Sequence, residues 1–258
     1  MALGKYDLAK NALANWHNIN SRFPYIEQTQ SSTGTAAAYI REGKIYYIEK
    51  QYKEAEQALK IAEEKMEALF KLRIERVELS LELTLFKLQG LVYKKLFMQE
   101  QNPVYLQQSI LYSEKALHTA NEIIAAYPDL GESYELYEIL QQLRGAYQLW
   151  SVKFNRFEEA CKAVKYANQA YEQICYLVDN LRQYDLLSEL FQSRRDYANS
   201  ICIMAEFLHA RGELQNAKEC YDEAIGMMNE LCEKMPENAE YIENREKMIN
   251  ALNEMLGC

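Results

Sequence analysis

Glycine and proline are scarce in this chain, at 9 and 4 of 258 residues. Few positions can therefore break a helix or supply the left-handed backbone of a tight hairpin. Strand-like segments are few as well, and Ala, Leu, Glu, Lys and Gln, all good helix formers, dominate. The chain reads as all-α. No window approaches 18 uninterrupted apolar residues, so no membrane-spanning helix is expected. The start lacks the basic-then-apolar pattern of a secretory signal. No C-x2-C pair occurs among the six cysteines, and no H-x3-H or H-E-x-x-H joins His17, His118 and His209. The glycine patterns of a nucleophile elbow, a P-loop and a dinucleotide fold are all missing. Arg194-Arg195-Asp196 looks like a kinase catalytic triplet, but it has no glycine loop or metal-binding Asp to go with it. No catalytic residue, metal or cofactor is expected, and the protein is read as non-enzymatic.

Charge is unevenly spread. Residues 1–128 carry 16 Lys/Arg against 15 Asp/Glu, while residues 129–258 carry 13 against 23. An acidic half offers no footprint for phosphates, so nucleic acid is not an expected partner. Cys161, Cys175, Cys202, Cys220, Cys232 and Cys258 all lie in that half. Free, mostly buried thiols in a cytoplasmic protein fit this usage.

The stretch Ala36–Ala62 holds the most informative pattern. Two helical segments meet at Lys50-Gln51, with small residues at Gly43, Ala55 and Ala62 and large ones at Tyr39, Tyr46 and Leu59. Those six residues, at those spacings, resemble a tetratricopeptide repeat. The resemblance implies a right-handed superhelix of antiparallel helix pairs, a TPR-like solenoid, covering residues 1–258 as a single domain of four to five pairs. Phe86, Gly90 and Tyr93 restart the first-helix pattern, and Ser109, Ser113 and Ala116 continue it in a second helix begun by Asn102-Pro103. Seven extra residues separate Tyr93 from Ser109 compared with the first repeat. Ala160, Val164 and Ala167 fit the next second helix, after a turn at Asn155-Arg156, whereas Arg144 and Gln148 occupy the aromatic and Gly positions of its partner. Ile201, Ala205, Leu208, Ala217, Tyr221 and Ala224 form the last pair around Gly212.

Equivalent small positions fall at 9, 55, 109, 160 and 217, intervals of 46 to 57 against the family's 34. Helices of about 20–25 residues are needed to fill that spacing. Residues 3–19, with Ala9, Leu13 and Trp16, read as an amphipathic half-repeat, and 238–258 as a C-terminal capping helix. Asn20–Thr35 reads as a loop. Val77–Leu85 alternates as a strand would, but no second strand lies near to satisfy its backbone, so it is assigned to a helix. The break before it is placed at Leu72–Arg76.

Tyrosine is the compositional outlier, with 20 against 8 Phe and 2 Trp. Tyr39, Tyr46 and Tyr221 occupy core positions of the repeat. The resemblance places Ile40, Lys44 and Tyr47, then Lys87, Leu91 and Lys94, and finally Asn199, Cys202, Glu206 and His209 on the concave face. Leu83–Gln99 contains three lysines and no acid, so one end of that groove is basic. The implied function is an adaptor or scaffold for a protein or peptide segment, acidic at one end. Ile40 stands where a carboxylate clamp would need a basic residue, so chaperone-tail binding is not expected. Two other roles fit the same pattern: a structural subunit self-associating through an exposed repeat end, and a peptide-signal regulator acting through conformational change.

Overall fold

Helix-forming sequence with few breakers gives long helices, and the few left-handed residues mark where they turn back. A computed structural model of the chain describes residues 28–70, 77–127 and 134–257, together with Ala12. Among them are nine α-helices and no strand. Two compact units divide the chain, Met1–Gly131 and Glu132–Cys258.

The first unit contains α1 (Gln28–Ile48), α2 (Tyr52–Phe70), α3 (Val77–Glu100) and α4 (Pro103–Ala126). The second contains α5 (Tyr134–Phe154), α6 (Phe157–Cys175), α7 (Leu187–Ala210), α8 (Leu214–Lys234) and α9 (Ala239–Leu256). A π-helical turn at Tyr176–Asn180 and a 3-10 turn at Tyr184–Leu186 connect α6 to α7. Within each unit every helix packs on its neighbours in sequence, the pattern of a helical repeat. Helices of 18 to 24 residues agree with the length that the wide spacing demands.

Hairpin turns repeat one chemistry. Lys50, Gln101, Asn155 and Gly212 all have positive φ, between 52 and 79°. At Lys50 the Gln51 amide donates to Tyr46 O at 2.9 Å and the Lys50 amide to Tyr47 O at 3.1 Å. This paired closure satisfies the last carbonyls of α1. The amides of Gly212 and Glu213 close α7 in the same way, onto His209 O and Leu208 O at 2.9 Å. Asn102 caps α4 by accepting from Val104 N at 3.0 Å, with Pro103 behind it.

The seams are built from the small residues. Ala55, Ser109, Ala160 and Ala217 are all buried to within 1% of complete, as are Ala62, Ala116, Ala167 and Ala224. A Cβ placed on Gly43 would stand 2.8 Å from both Cγ and Cδ2 of Leu59, so α1 and α2 touch at a distance only glycine permits. In the next pair Ser109 Oγ donates to Gly90 O at 2.8 Å across the same seam. The seven-residue insertion is absorbed as about one extra turn on each arm of α3 and α4, and the seam register survives.

Val77–Leu85 is helical, as expected. Residues 28–35 are not loop but the first two turns of α1, because Ala36, completely buried, anchors that end of the helix to the core. Residues 20–27, the segment 3–19 apart from the helical Ala12, and the whole of the break at 72–76 lie outside the described residues. The closing helix is present as α9, capped by Asn238 Oδ1, which accepts from the amides of Glu240 and Tyr241 at 3.1 and 3.2 Å. Of the five described cysteines only Cys232 is buried. The other four are half-covered and all five are free, a less complete burial than their small size suggests.

Candidate functional site: the face formed by the first helices

In both units the first helices of successive pairs touch one another directly. α1 packs on α3, α5 on α7 and α7 on α9 with closer backbones than α2 on α4 or α6 on α8; α2 and α4 meet through side chains, Glu63 with Tyr112 and Lys115. The first helices therefore lie on the inside of each stack, and their outward stripes form its inner face.

On α1 the exposed stripe is Arg41, Lys44 and Ile48, three and four residues apart. Tyr47 is half-buried on the core, its ring 5.7 Å from that of Tyr52, and burial followed by the Tyr52 charge raises its phenol above the ordinary value. Ile40 is a core residue, not a groove residue, since it packs with Ala36, Leu59 and Val92. On α3, Lys87, Leu91 and Lys94 share one half-exposed stripe opposite the buried Leu85, Val92 and Leu96. Lys44, Lys87, Leu91 and Lys94 thus belong to contacting helices of one unit.

Asn199, Cys202, Glu206 and His209 lie on α7 in the other unit. Asn199 is half-covered while Glu206 and His209 are exposed. Cys202 packs against the core of Ala198, Ile201 and Met228, and burial with the Glu206 charge pushes its thiol up to about 12. Partial desolvation of its carboxyl, on a side chain that is exposed overall, also raises Glu206. This stripe is polar and carries little positive charge.

The second unit contains a polar seam between first helices that the repeat pattern did not indicate. Tyr137 Oη donates to Glu189 O at 3.3 Å, Gln141 Nε2 to Ser193 Oγ at 3.0 Å, and Arg144 to Asp196 Oδ2 at 2.9 Å. Each pair is 52 residues apart. The Arg144 guanidinium also donates to Gln141 Oε1 at 2.6 Å and Gln148 Oε1 at 2.8 Å. Burial lowers its pKa, opposed by Asp196. Arg195 extends the network from Asp196 Oδ1 at 2.8 Å to Glu240 on α9 at 2.6 Å. Arg144 and Asp196 therefore fix α5 against α7, and Arg195 ties α7 to α9. Each of the three Arg144 guanidinium nitrogens thus donates to a neighbouring side chain, and the group serves the seam.

No protein-family model matches the chain, and no curated protein does. Among solved structures, BtubC (BKLC) from P. vanneervenii is 14% identical, with 100% of this chain aligned to 85% of that one at a TM-score of 0.52. The designed helical repeat protein DHR64 and a chain of the DHF58 filament are each 13% identical. Their alignments cover 90% and 88% of this chain and 94% and 95% of theirs, at TM-scores of 0.29 and 0.33. The protein is an all-α helical-repeat protein. At such identities BtubC speaks for the fold alone, and the two designed chains carry no argument. No helix among the described residues is long and apolar enough to cross a membrane, and no cluster of metal-ligating side chains occurs among them.

Proposed function

We propose that the chain is a tetratricopeptide-like repeat protein in which the inner face of each unit binds a protein segment, making it a non-enzymatic cytoplasmic adaptor or scaffold. The direct packing of α1 on α3, and of α5 on α7 on α9, carries this reading. It aligns the outward stripes of successive first helices into the kind of surface on which repeat proteins take extended partners. Lys44, Lys87 and Lys94 make the α1–α3 part of that face basic, with Leu91 as an apolar contact between the last two. An acidic segment is the complementary occupant there. Asn199, Glu206 and His209 supply neutral and acidic contacts on α7, and Tyr47 supports the α1 stripe from the core side. Nucleic acid and membrane are not partners in this reading, and no cofactor is involved.

Panning a random peptide display library on the full chain tests it. Acidic segments should be enriched, and the variant Lys87→Glu/Lys94→Glu should lose them while keeping its helical circular dichroism. Enrichment without acidic bias, or equal recovery by the variant, refutes the assignment of this face.

A further inference from the structure

A cavity of about 500 Å³ opens between α2, α3 and α4 of the first unit. Its floor is apolar, formed by Met66, Leu85 and Phe86, and its walls carry Glu63, Glu67, Glu82 and Glu122 against Lys115 and His118. Leu79, Glu82 and Phe86 recur at helical spacing on one stripe of α3, a different stripe from Lys87, Leu91 and Lys94.

The positive groups are already engaged. Lys115 Nζ lies 3.3 Å from Glu63 Oε1, above the rings of Phe86 and Tyr112 at 4.9 and 4.7 Å. His118 Nε2 faces Glu122 Oε1 at 3.4 Å. Gln89, 1% exposed, donates to Glu63 Oε2 at 2.8 Å while its own Oε1 has no donor. A buried acceptor without a donor is costly, and here it adds partial negative charge beside a wall already rich in carboxylates. Burial, and after it the charge of Glu122, raises the Glu82 carboxyl above its ordinary value, with Thr119, Lys115 and His118 acting the other way.

We propose that this cavity is a binding site for an alkylammonium group on an aliphatic stem, the chemistry shared by a lysine side chain of a protein segment and a free diamine. The apolar floor accepts the stem, and Glu82 and Glu122 accept the ammonium. Lys115 shows a related mode from within the chain, its ammonium above the rings of Phe86 and Tyr112 and beside the Glu63 carboxylate. An anion would meet four carboxylates, and a neutral apolar guest would desolvate them without compensation. The site stands apart from the inner-face reading and does not depend on it.

Calorimetry on the full chain tests it with pentane-1,5-diamine and acetyl-Gly-Lys-Gly-amide. Pentan-1-ol and the peptide with an Nε-acetylated lysine serve as neutral controls. Both cations should bind and the controls should not, and Glu82→Gln/Glu122→Gln, which removes both carboxylates that accept the ammonium, should weaken binding by about tenfold or more. Leu79→Lys, which ties an ammonium to the cavity wall, should abolish binding even if the carboxylate variant folds poorly. Binding of the diamine alone identifies a small free amine as the ligand, and binding of the peptide alone a lysine-bearing segment. The proposal is overturned if neither cation binds at about 10 mM, a level that only very weak sites fail to reach. Equal binding by the neutral controls, or unchanged affinity in the folded variants, overturns it too.

Discussion

Changing three glycines to alanine should give two signs of effect for three distinct reasons. Gly226 sits on the exposed side of α8 with nothing within 4 Å of a new Cβ. Alanine there removes the conformational excess of glycine, and stability should rise by about 0.5–1 kcal/mol. Gly43 gains the same intrinsic preference, but its Cβ would stand 2.8 Å from Leu59 Cγ and Cδ2, with Ala55 O at 3.5 Å. Cγ is the branch point of a completely buried side chain, so the whole isobutyl group must move. Overpacking of this kind costs about 1–3 kcal/mol. The clash should win, leaving a net loss of about 1 kcal/mol or more. Gly212 has open space around it but a φ of +79°, where an L side chain costs about 1–2 kcal/mol. Urea unfolding followed by helical circular dichroism reads all three as midpoint shifts. A second cycle places Gly43→Ala in a Leu59→Ala background, where the clash is gone and the substitution should become neutral or stabilising. If Gly43→Ala raises the midpoint, or costs the same with and without Leu59, the close approach of α1 and α2 is not what the glycine serves.

Three further outcomes can be measured. Asp196→Ala should lower stability by about 3–5 kcal/mol, because it leaves the Arg144 guanidinium buried without its counter-charge; thermal unfolding should show Arg144→Met/Asp196→Leu recovering most of that loss. Glu82 binds its proton more tightly folded than unfolded, so the native chain loses stability as pH rises above the ordinary carboxylate range; Glu82→Gln should flatten the unfolding temperature between about pH 4 and 7, and an unaltered profile would contradict the desolvation of this carboxyl. Burial holds the phenols of Tyr137, Tyr171 and Tyr221 up to about 12; phenolate absorbance should still be rising at that pH, with stability falling above the ordinary tyrosine value because the unfolded chain ionises first.

Small residues were the readable part of this fold, and the reason is steric. Ala55, Ser109, Ala160 and Ala217 stand where two backbones approach, and no large side chain can substitute there, so the pattern persists across four pairs. The loop assigned to residues 28–35 failed because Thr, Ser and Gly, six of those eight residues, are weak helix formers taken one at a time. Burial of Ala36 and Ala38 just beyond them outweighs that local preference. Much of the tyrosine excess serves the seams. Tyr93 stacks on Tyr112 at 5.5 Å, and Tyr112 Oη donates to Glu63 at 2.8 Å. One broad face packs while the hydroxyl reaches a carboxylate. Composition counts tyrosines but cannot say which carboxylate lies within reach.

The polar seam of the second unit explains why its first helix matched the repeat so poorly. Arg144 and Gln148 look misplaced only when α5 is read alone. Gln141, Arg144 and Gln148 lie at i, i+3 and i+7, and 52 residues later Ser193, Asp196 and Ser200 repeat that spacing. Two polar stripes on consecutive first helices, offset by one repeat, are a signal a sequence can carry, but it appears only when the period is applied to polar residues as well as to small ones. An ion pair at such a seam contributes little net stability over a well-packed apolar pair, because desolvation consumes most of the attraction. Its physical advantage lies in register. An apolar seam tolerates a slide of one turn, whereas sliding α5 past α7 would strand Arg144 without Asp196 and cost several times more. The second unit holds its first helices in register with charge, and the first unit holds α1 against α2 with Gly43 and Leu59, which is why α5 departs from the family pattern where α1 follows it.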